Sequence, residues 1–205
     1  MTVTKPDMKY VGSPFFSSRE GTSPEAIVLH IAEGTLAGVD SWFNNPAAEV
    51  SAHFCVGKTG EIHQYIYLEN AAWANGKIEA GYTAALIDEN GGMNPNRWTV
   101  SIEHEGFYAQ EPTADQFEAS AQLSAWLFDS LLLTGGATDV AIDRKHILRH
   151  ADISPKNKGR CPGWSDLTIA RYIARVREIV AGPPSVDPRL IQARDLLNAV
   201  IGESK

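Results

Sequence analysis

The sequence Ala26-Ile-Val-Leu-His30 places a histidine directly after four apolar residues. A short apolar run bounded by polar residues is typical of a strand buried inside a sheet. Such a strand carries the side chain at its end to the edge of the sheet. The stretch therefore predicts a buried strand with His30 at its carboxyl end, where a functional site can form.

Strands and helices alternate along the rest of the chain. Gly57-Lys-Thr-Gly60 separates two β-rich segments and is typical of a hairpin turn. Thr113 followed by Gln116 resembles a capping box that opens a long amphipathic helix. These patterns predict an α/β domain with a central mixed β-sheet covered by helices. The predicted strands cover 26–30, 52–56, 61–66, 98–103 and 147–150, and the predicted helices cover 36–44, 113–134 and 165–180.

The chain of 205 residues is long enough for one well-cored domain and a tail. We expect residues 1–22 to be an N-terminal extension and residues 23–181 to form the domain. Gly182-Pro-Pro184 interrupts the pattern, so residues 182–205 are expected to form a proline-led linker and a C-terminal helix. The Gly- and Asn-rich segment 76–96 is expected to be a substrate-side loop or an insertion.

The charge balance limits the classes of ligand. A formal net charge of -7 argues against binding nucleic acid by general electrostatics, so no nucleic-acid partner is expected. One basic patch would nevertheless meet an anionic ligand locally. The patch consists of Arg144, Lys145, Arg149, Lys156, Lys158 and Arg160.

The two cysteines, Cys55 and Cys161, are too few for a disulfide scaffold, and we expect both to be reduced. The first residues lack the pattern of a signal peptide, and no apolar run is long enough to span a membrane. We therefore expect a protein that is made in the cytoplasm and does not insert into a membrane. We also expect a monomer.

The stretch His150-Ala-Asp-Ile-Ser-Pro-Lys-Asn-Lys-Gly-Arg-Cys161-Pro-Gly163 sets an imidazole and a thiol at the two ends of a short basic loop. Zinc binds neutral histidine nitrogen and cysteine thiolate, and a catalytic zinc site takes three protein ligands. His30 is the best candidate for the third ligand. His30, His150 and Cys161 thus predict a Zn²⁺ site.

The same thiol and imidazole also suit a cysteine hydrolase, with Cys161 as the nucleophile and His150 as its base. A nucleophilic thiol usually begins a helix or lies in a nucleophile motif, whereas here Pro162 follows directly. The hydrolase interpretation also leaves His30 without a role. His146 is a rival ligand to His150, but it lacks the Asp-Ile-Ser-Pro that follows His150.

Five motifs that occur in order give the chain a family resemblance from about Ser23 to Val180. The motifs are Ile27-Val-Leu-His30, Ser51-Ala-His-Phe54 with Gly57-Lys-Thr-Gly-Glu-Ile62, Ala72-Trp-Ala-Asn-Gly76, Val100-Ser-Ile-Glu103, and His150-Ala-Asp-Ile-Ser-Pro with Cys161-Pro-Gly163. Together they resemble the type 2 N-acetylmuramoyl-L-alanine amidases, zinc enzymes that share a fold with phage T7 lysozyme and the peptidoglycan recognition proteins.

The resemblance implies roles for individual residues. His30, His150 and Cys161 match the zinc ligands, and Glu103 matches the strand glutamate that acts on the metal-bound water. The family's lysine usually stands two residues before the third ligand, where this chain has Gly159. We favour Lys158 as the cation that stabilises the oxyanion, with Arg160 as the alternative.

Three further residues are expected near the substrate. His53 either lines the groove or hydrogen-bonds a residue of the site, while Trp73 and Asn75 border the groove, although Trp73 also fits the core. Ala52 stands where the T7-like relatives carry a tyrosine, which places the chain nearer to the amidases that rely on the glutamate. Arg160 is expected to contact the substrate if Lys158 is the catalytic cation.

The resemblance implies hydrolysis of the amide between N-acetylmuramic acid and L-alanine, with peptidoglycan or a muropeptide as the substrate. We expect a lytic enzyme, similar to a phage endolysin that a holin releases to the cell wall. A muropeptide-recycling amidase of the cytoplasm is an alternative. A non-catalytic peptidoglycan-binding module of the same fold is another, but such a module would normally lose the third zinc ligand.

Overall fold

The fold is taken from a computed structural model that describes residues 2–132 and 140–182, together with Gln192. The strands are β1 (Lys9–Tyr10), β2 (Phe16–Ser18), β3 (Ala26–Ile31), β4 (Phe54–Val56), β5 (Ile62–Gln64), β6 (Asn70–Ala72), β7 (Thr99–His104) and β8 (Ile147–Arg149). The helices are α1 (Leu36–Trp42), α2 (Leu86–Glu89), α3 (Ala114–Leu127) and α4 (Asp166–Ala181).

Six of the strands form one mixed sheet in the order β1-β5-β4-β7-β3-β8. The hairpin pair β4 and β5 is antiparallel, while β7, β3 and β8 run parallel to one another. A separate two-stranded sheet joins β2 and β6. The predicted α/β domain with a central mixed sheet is confirmed, and the Gly57–Gly60 turn lies where the hairpin requires it.

Strand β3 lies inside the sheet with all six of its residues buried. Ile27 and Leu29 pack into a core that the helices α3 and α4 cover, whereas Ala26 and Val28 pack on the opposite face. Both faces of a parallel sheet must be covered, which explains a continuous apolar run rather than an alternating one.

Segment 76–96 covers the second face of the sheet. Leu86 and Ile87 of α2 are almost fully buried there, in one cluster with Trp98 and Leu148. The expected loop or insertion is therefore in large part a packing element. Its helix α2 was missed because four residues are too few to show a helical period.

The caps of the long helices follow the sequence. Thr113 accepts a hydrogen bond from the backbone N–H of Gln116, and Ser165 accepts one from Thr168. Only half of the predicted capping box forms, because the Gln116 side chain donates to the carbonyls of Val56 and Glu105 instead. Helix α3 is thereby tied to the sheet at its first turn.

Residues of the predicted N-terminal extension pair with strands of both sheets. Strand β1 pairs with β5 at one edge of the main sheet, and β2 pairs with β6. Arg19 is 4% exposed, and its guanidinium donates to the carbonyls of Leu68, Arg97 and Thr99 at 2.7, 2.6 and 3.0 Å. A single charged side chain thus ties the N-terminal segment to the Leu68 loop and to the start of β7.

Arg19→Met is expected to destabilise the fold strongly, because it leaves buried carbonyls without donors. A buried acceptor left unpaired costs about 1–3 kcal/mol, so the free energy of unfolding should fall by about 3 kcal/mol or more. Arg97→Met is the matched control, since Arg97 forms a surface ion pair with Glu20 that is worth about 0–1 kcal/mol. Urea denaturation measures both values, and equal losses in the two variants would contradict the role given to Arg19.

Apart from Gln192, the predicted C-terminal helix lies outside the described residues, as do most of the proline-led linker and the predicted end of the α3 region near Thr134. Helix α3 continues as a π-helix at Phe128–Leu132, and α4 ends at Gly182 with a φ of 70°. Within the described ranges, the helices are too short or too polar to cross a bilayer.

Candidate active site

His30, His150 and Cys161 come together at one edge of the sheet. His30 lies in β3, and His150 follows the neighbouring parallel strand β8, where Leu29 and Arg149 are already in register. Because parallel strands end at the same edge, their last side chains lie side by side. One ligand-type atom from each of the three residues lies within 4.8 Å of the others.

The two imidazoles face each other through Nδ1 atoms that are 2.9 Å apart. His150 Nε2 lies 3.1 Å from the Asn75 carbonyl and can only donate to it, which leaves the lone pair on Nδ1 when the ring is neutral. Burial lowers the pKa of His150 to about 4 and that of His30 well below its usual value. Both rings are therefore neutral at pH 7, the form that binds a metal.

Cys161 completes the group from the loop after His150. Its Sγ accepts one hydrogen bond, from the Ile31 backbone N–H at 3.4 Å. Burial, and next to it the charge of Glu103, raises the pKa of the thiol to about 12. Such a thiol is ionised at neutral pH only if a cation binds it. The set of two imidazole nitrogens and one sulfur is the donor set that zinc prefers.

Glu103 lies beside His30, because the two residues are partners in the register of β7 and β3. Its Oε2 atom is buried, and no residue of the described ranges donates a hydrogen bond to it. Burial raises the pKa of Glu103 to about 7, against the opposing effect of the Lys158 ammonium. A carboxyl group in this environment exchanges a proton near neutral pH, as a general base requires.

Lys158 and Arg160 take different positions. Lys158 lines the same cavity as His30, Glu103 and Cys161. Arg160 instead places its guanidinium over the ring of Tyr108, 4.8 Å from the ring centroid. A Cβ at Gly159 would clash with the carbonyl oxygen of Pro155, so a lysine cannot occupy that position in this loop. Of the two candidate cations, Lys158 is the one placed beside Glu103.

The site opens into a cavity of about 470 Å³. Part of its wall is apolar and aromatic, with Trp42 and Trp73 exposed by 49% and 37%. Trp73 is held in place because its indole N–H donates to Ser17 Oγ at 2.8 Å. The core alternative for Trp73 is therefore wrong, since the side chain faces the cavity. Val39, Phe43 and Val50 also belong to the apolar wall.

Two residues expected at the groove are buried away from it. His53 is 1% exposed, accepts a hydrogen bond from Ser101 N, and lies 2.9 Å from Arg19. The Asn75 side chain is fully buried and donates to Thr99 Oγ1. Neither side chain lines the cavity, because both serve contacts inside the fold.

The structure adds contacts that the sequence did not indicate. Asn75 acts through its backbone carbonyl, which orients His150, and a carbonyl leaves no trace in residue identity. Trp42, Val50 and Glu33 also line the cavity. Glu33 has a φ of 53°, a strained conformation that is more common at functional sites than elsewhere. Of these residues, Trp42 was the one that the sequence could have indicated, as an aromatic residue on a short predicted helix.

The sequence profile of a protein family described as N-acetylmuramoyl-L-alanine amidase matches residues 20–164. The N-acetylmuramoyl-L-alanine amidase A of Achromobacter lyticus is 32% identical over 120 residues, which are 56% of this chain and 58% of that protein. The alignment thus spans less than two thirds of that relative's length.

Two solved structures have a similar fold. AmpD, solved as a selenomethionine derivative, gives a TM-score of 0.63 at 20% identity and covers 84% of this chain and 97% of AmpD. The N-acetylmuramyl-L-alanine amidase AmiD from E. coli, solved with anhydro-N-acetylmuramic acid-L-Ala-D-gamma-Glu-L-Lys, gives 0.52 at 16% identity. That match covers 76% of this chain and 58% of AmiD. At these identities the likeness shows a shared fold.

Proposed function

Because the chain belongs to the type 2 N-acetylmuramoyl-L-alanine amidase family, we propose that it is a zinc-dependent enzyme that hydrolyses the amide between N-acetylmuramic acid and L-alanine in peptidoglycan. The observation that supports this proposal best is the convergence of His30, His150 and Cys161 beside the buried, unpaired carboxylate oxygen of Glu103. All of these residues line one cavity that is large enough for part of a muramyl peptide.

The three ligand-type residues fit a zinc ion. His150 and His30 are neutral, and the Nε2 of His30 is buried without a partner in the described ranges. A bound zinc ion lowers the pKa of water toward 7 and polarises a carbonyl group. His30, His150 and Cys161 would hold that ion, while the Asn75 carbonyl keeps His150 in the tautomer that leaves Nδ1 free.

Glu103 and Lys158 would divide the proton transfer and the charge stabilisation. Hydrolysis adds a hydroxide to the amide carbon, and Glu103 accepts the proton that the water loses. The same carboxyl group then gives this proton to the departing nitrogen of L-alanine as the C–N bond breaks. The Lys158 ammonium, which lines the same cavity, stabilises the oxyanion that forms on the carbonyl oxygen.

The cysteine-hydrolase alternative has less support. Within the described ranges the hydrogen bond at Cys161 Sγ comes from Ile31 N, and neither nearby imidazole makes a hydrogen bond with the thiol. The raised pKa of the thiol also works against a free thiolate nucleophile. The non-catalytic module is disfavoured by the retention of all three ligand-type residues and of Glu103.

The proposal is tested by digesting purified peptidoglycan with the protein alone, with a chelator, and with zinc added back after chelation. Mass spectrometry should detect new L-alanine amino termini that disappear with the chelator and return with zinc. Cleavage that resists the chelator but stops with a thiol-blocking reagent would favour the cysteine hydrolase. Binding to the wall without cleavage would favour the recognition module.

We also propose a lytic role for the enzyme, in the manner of a phage endolysin. The same assay separates this role from muropeptide recycling when the polymer and a soluble muropeptide are compared. Faster release of L-alanine amino termini from the polymer supports the lytic role. A strong preference for the soluble fragment would instead support the recycling amidase.

A further inference from the structure

A second cavity of about 620 Å³ adjoins the candidate active site. Ile31, Glu33, Lys158 and Cys161 line both cavities, so the two share one boundary. His30, His150 and Glu103 line the first cavity and not the second, while Cys161 lies at the boundary between the two. A substrate that spans the site would therefore extend into the second cavity on one side and along the aromatic wall on the other.

The two cavities differ in charge. The first has the apolar wall of Trp42, Trp73 and their neighbours, whereas the second adds Lys156 and Arg160 to the shared Lys158. None of these three cations forms an ion pair with a carboxylate in residues 2–132 or 140–182. These three cations outnumber the carboxylate of Glu33, the single acidic group among the described residues that line the second cavity, so this cavity attracts an anionic group.

Arg160 is held in position before any ligand arrives. Its guanidinium rests on the Tyr108 ring, and the Tyr108 backbone N–H donates to Glu33 Oε1 at 3.1 Å. Gly163 allows the loop with Tyr108 to lie close to the loop that carries Arg160 and Cys161, because a Cβ at Gly163 would meet Ala109 N at 3.0 Å. A fixed guanidinium loses little conformational entropy when it binds a carboxylate, and it can bind both oxygens at once.

The proposed substrate also differs in charge on the two sides of the bond that is cut. On the acyl side lies a neutral N-acetylated sugar, because its lactyl carboxyl is part of the amide. On the amine side lies the stem peptide, of which L-Ala-D-gamma-Glu-L-Lys in the AmiD complex is one form. A glutamate that is linked through its γ-carboxyl keeps its α-carboxylate free, so the peptide carries an anion close to the cut.

We propose that the second cavity is the subsite for the stem peptide, and that Arg160 determines specificity by binding the free α-carboxylate of its glutamate. This inference rests on the proposed amidase function. Stems whose glutamate carries the free acid bind better than stems in which that carboxyl is amidated. The sugar then lies toward Trp42 and Trp73.

The test compares two synthetic substrates, N-acetylmuramyl-L-Ala-D-gamma-Glu-L-Lys and the same compound with the glutamate α-carboxylate amidated. A charge-assisted hydrogen bond predicts that the wild-type kcat/KM is about tenfold higher for the acid than for the amide. In Arg160→Gln the ratio should fall to about one, with the loss in KM for the acid. Arg171→Gln, at an exposed position of α4, is the matched control and should keep the wild-type ratio.

The outcomes separate this inference from the proposed function. Release of L-alanine termini from both substrates, with the same acid-to-amide ratio in wild type and Arg160→Gln, overturns the subsite and leaves the amidase intact. If the zinc-loaded wild type cleaves neither substrate nor peptidoglycan, the amidase function and the subsite both fail. Thermal unfolding of each variant shows whether a changed ratio arises from the subsite or from loss of the fold.

Discussion

Cys161→Ala is expected to remove the bound metal and to reduce amidase turnover by about 10³-fold or more, since the metal supplies several kcal/mol of transition-state stabilisation. The variant leaves two imidazoles to hold the ion, which is one ligand fewer than a catalytic zinc site uses. Within the described part of the chain the thiol makes one hydrogen bond, from Ile31 N, so the fold should persist. Metal content per chain and hydrolysis of peptidoglycan are the two measurements.

Cys55→Ala is the matched control for this result. Cys55 is the second free cysteine, and it is fully buried in β4, outside the group of ligand-type atoms. The control should keep its metal and most of its activity. Full metal content in Cys161→Ala, or equal loss in both variants, would remove Cys161 from the metal site.

Glu103→Gln is expected to keep the metal and to lose about 10²–10⁴-fold in turnover, the usual contribution of a general base. The amide has nearly the same shape as the carboxylate but cannot accept a proton. Because burial raises the pKa of Glu103 to about 7, the carboxyl is increasingly protonated below that pH and cannot act as a base. A bound cation lowers this pKa, so wild-type activity should fall as the pH drops, at or below pH 7.

Glu105→Gln tests whether any nearby carboxylate would suffice. Glu105 follows two residues later, and its carboxylate accepts a hydrogen bond from Lys58 N at 2.9 Å outside the cavity. Glu105→Gln should keep the wild-type turnover and the same fall in activity at low pH, which is the acid limb of the pH profile. A Glu103→Gln enzyme with full turnover, or with an unchanged acid limb, would mean that another group accepts the proton.

The elements around the site were largely predictable because their signals are local. Four apolar residues before His30 indicate a buried strand, and Thr113 and Ser165 indicate the starts of two helices within three or four residues. The N-terminal strands β1 and β2 could not be predicted, since two or three exposed residues become strands only through pairing with β5 and β6. Local propensity carries no information about such a distant partner.

The sequence alone determined which chemical groups are available. Two histidines, a cysteine and a glutamate in ordered motifs indicate a zinc hydrolase, because ligand chemistry belongs to the side chain itself. Whether a side chain reaches the site depends on packing between segments far apart in the chain. His53 shows this, since its motif suggested the groove while Arg19 and Ser101 hold it inside the fold.

Only the tertiary structure decided the position of Lys158 and the carbonyl that orients His150. It also decided that a cavity with an aromatic wall adjoins a cavity lined by several cations. Each depends on distances between loops that are separated by tens of residues, such as Tyr108 against Arg160 or Asn75 against His150. Residue identity specifies a charge or a donor, but its surroundings set its pKa, its partner and its direction. The sequence therefore determined the chemistry of this protein, and the fold decided the geometry in which that chemistry is used.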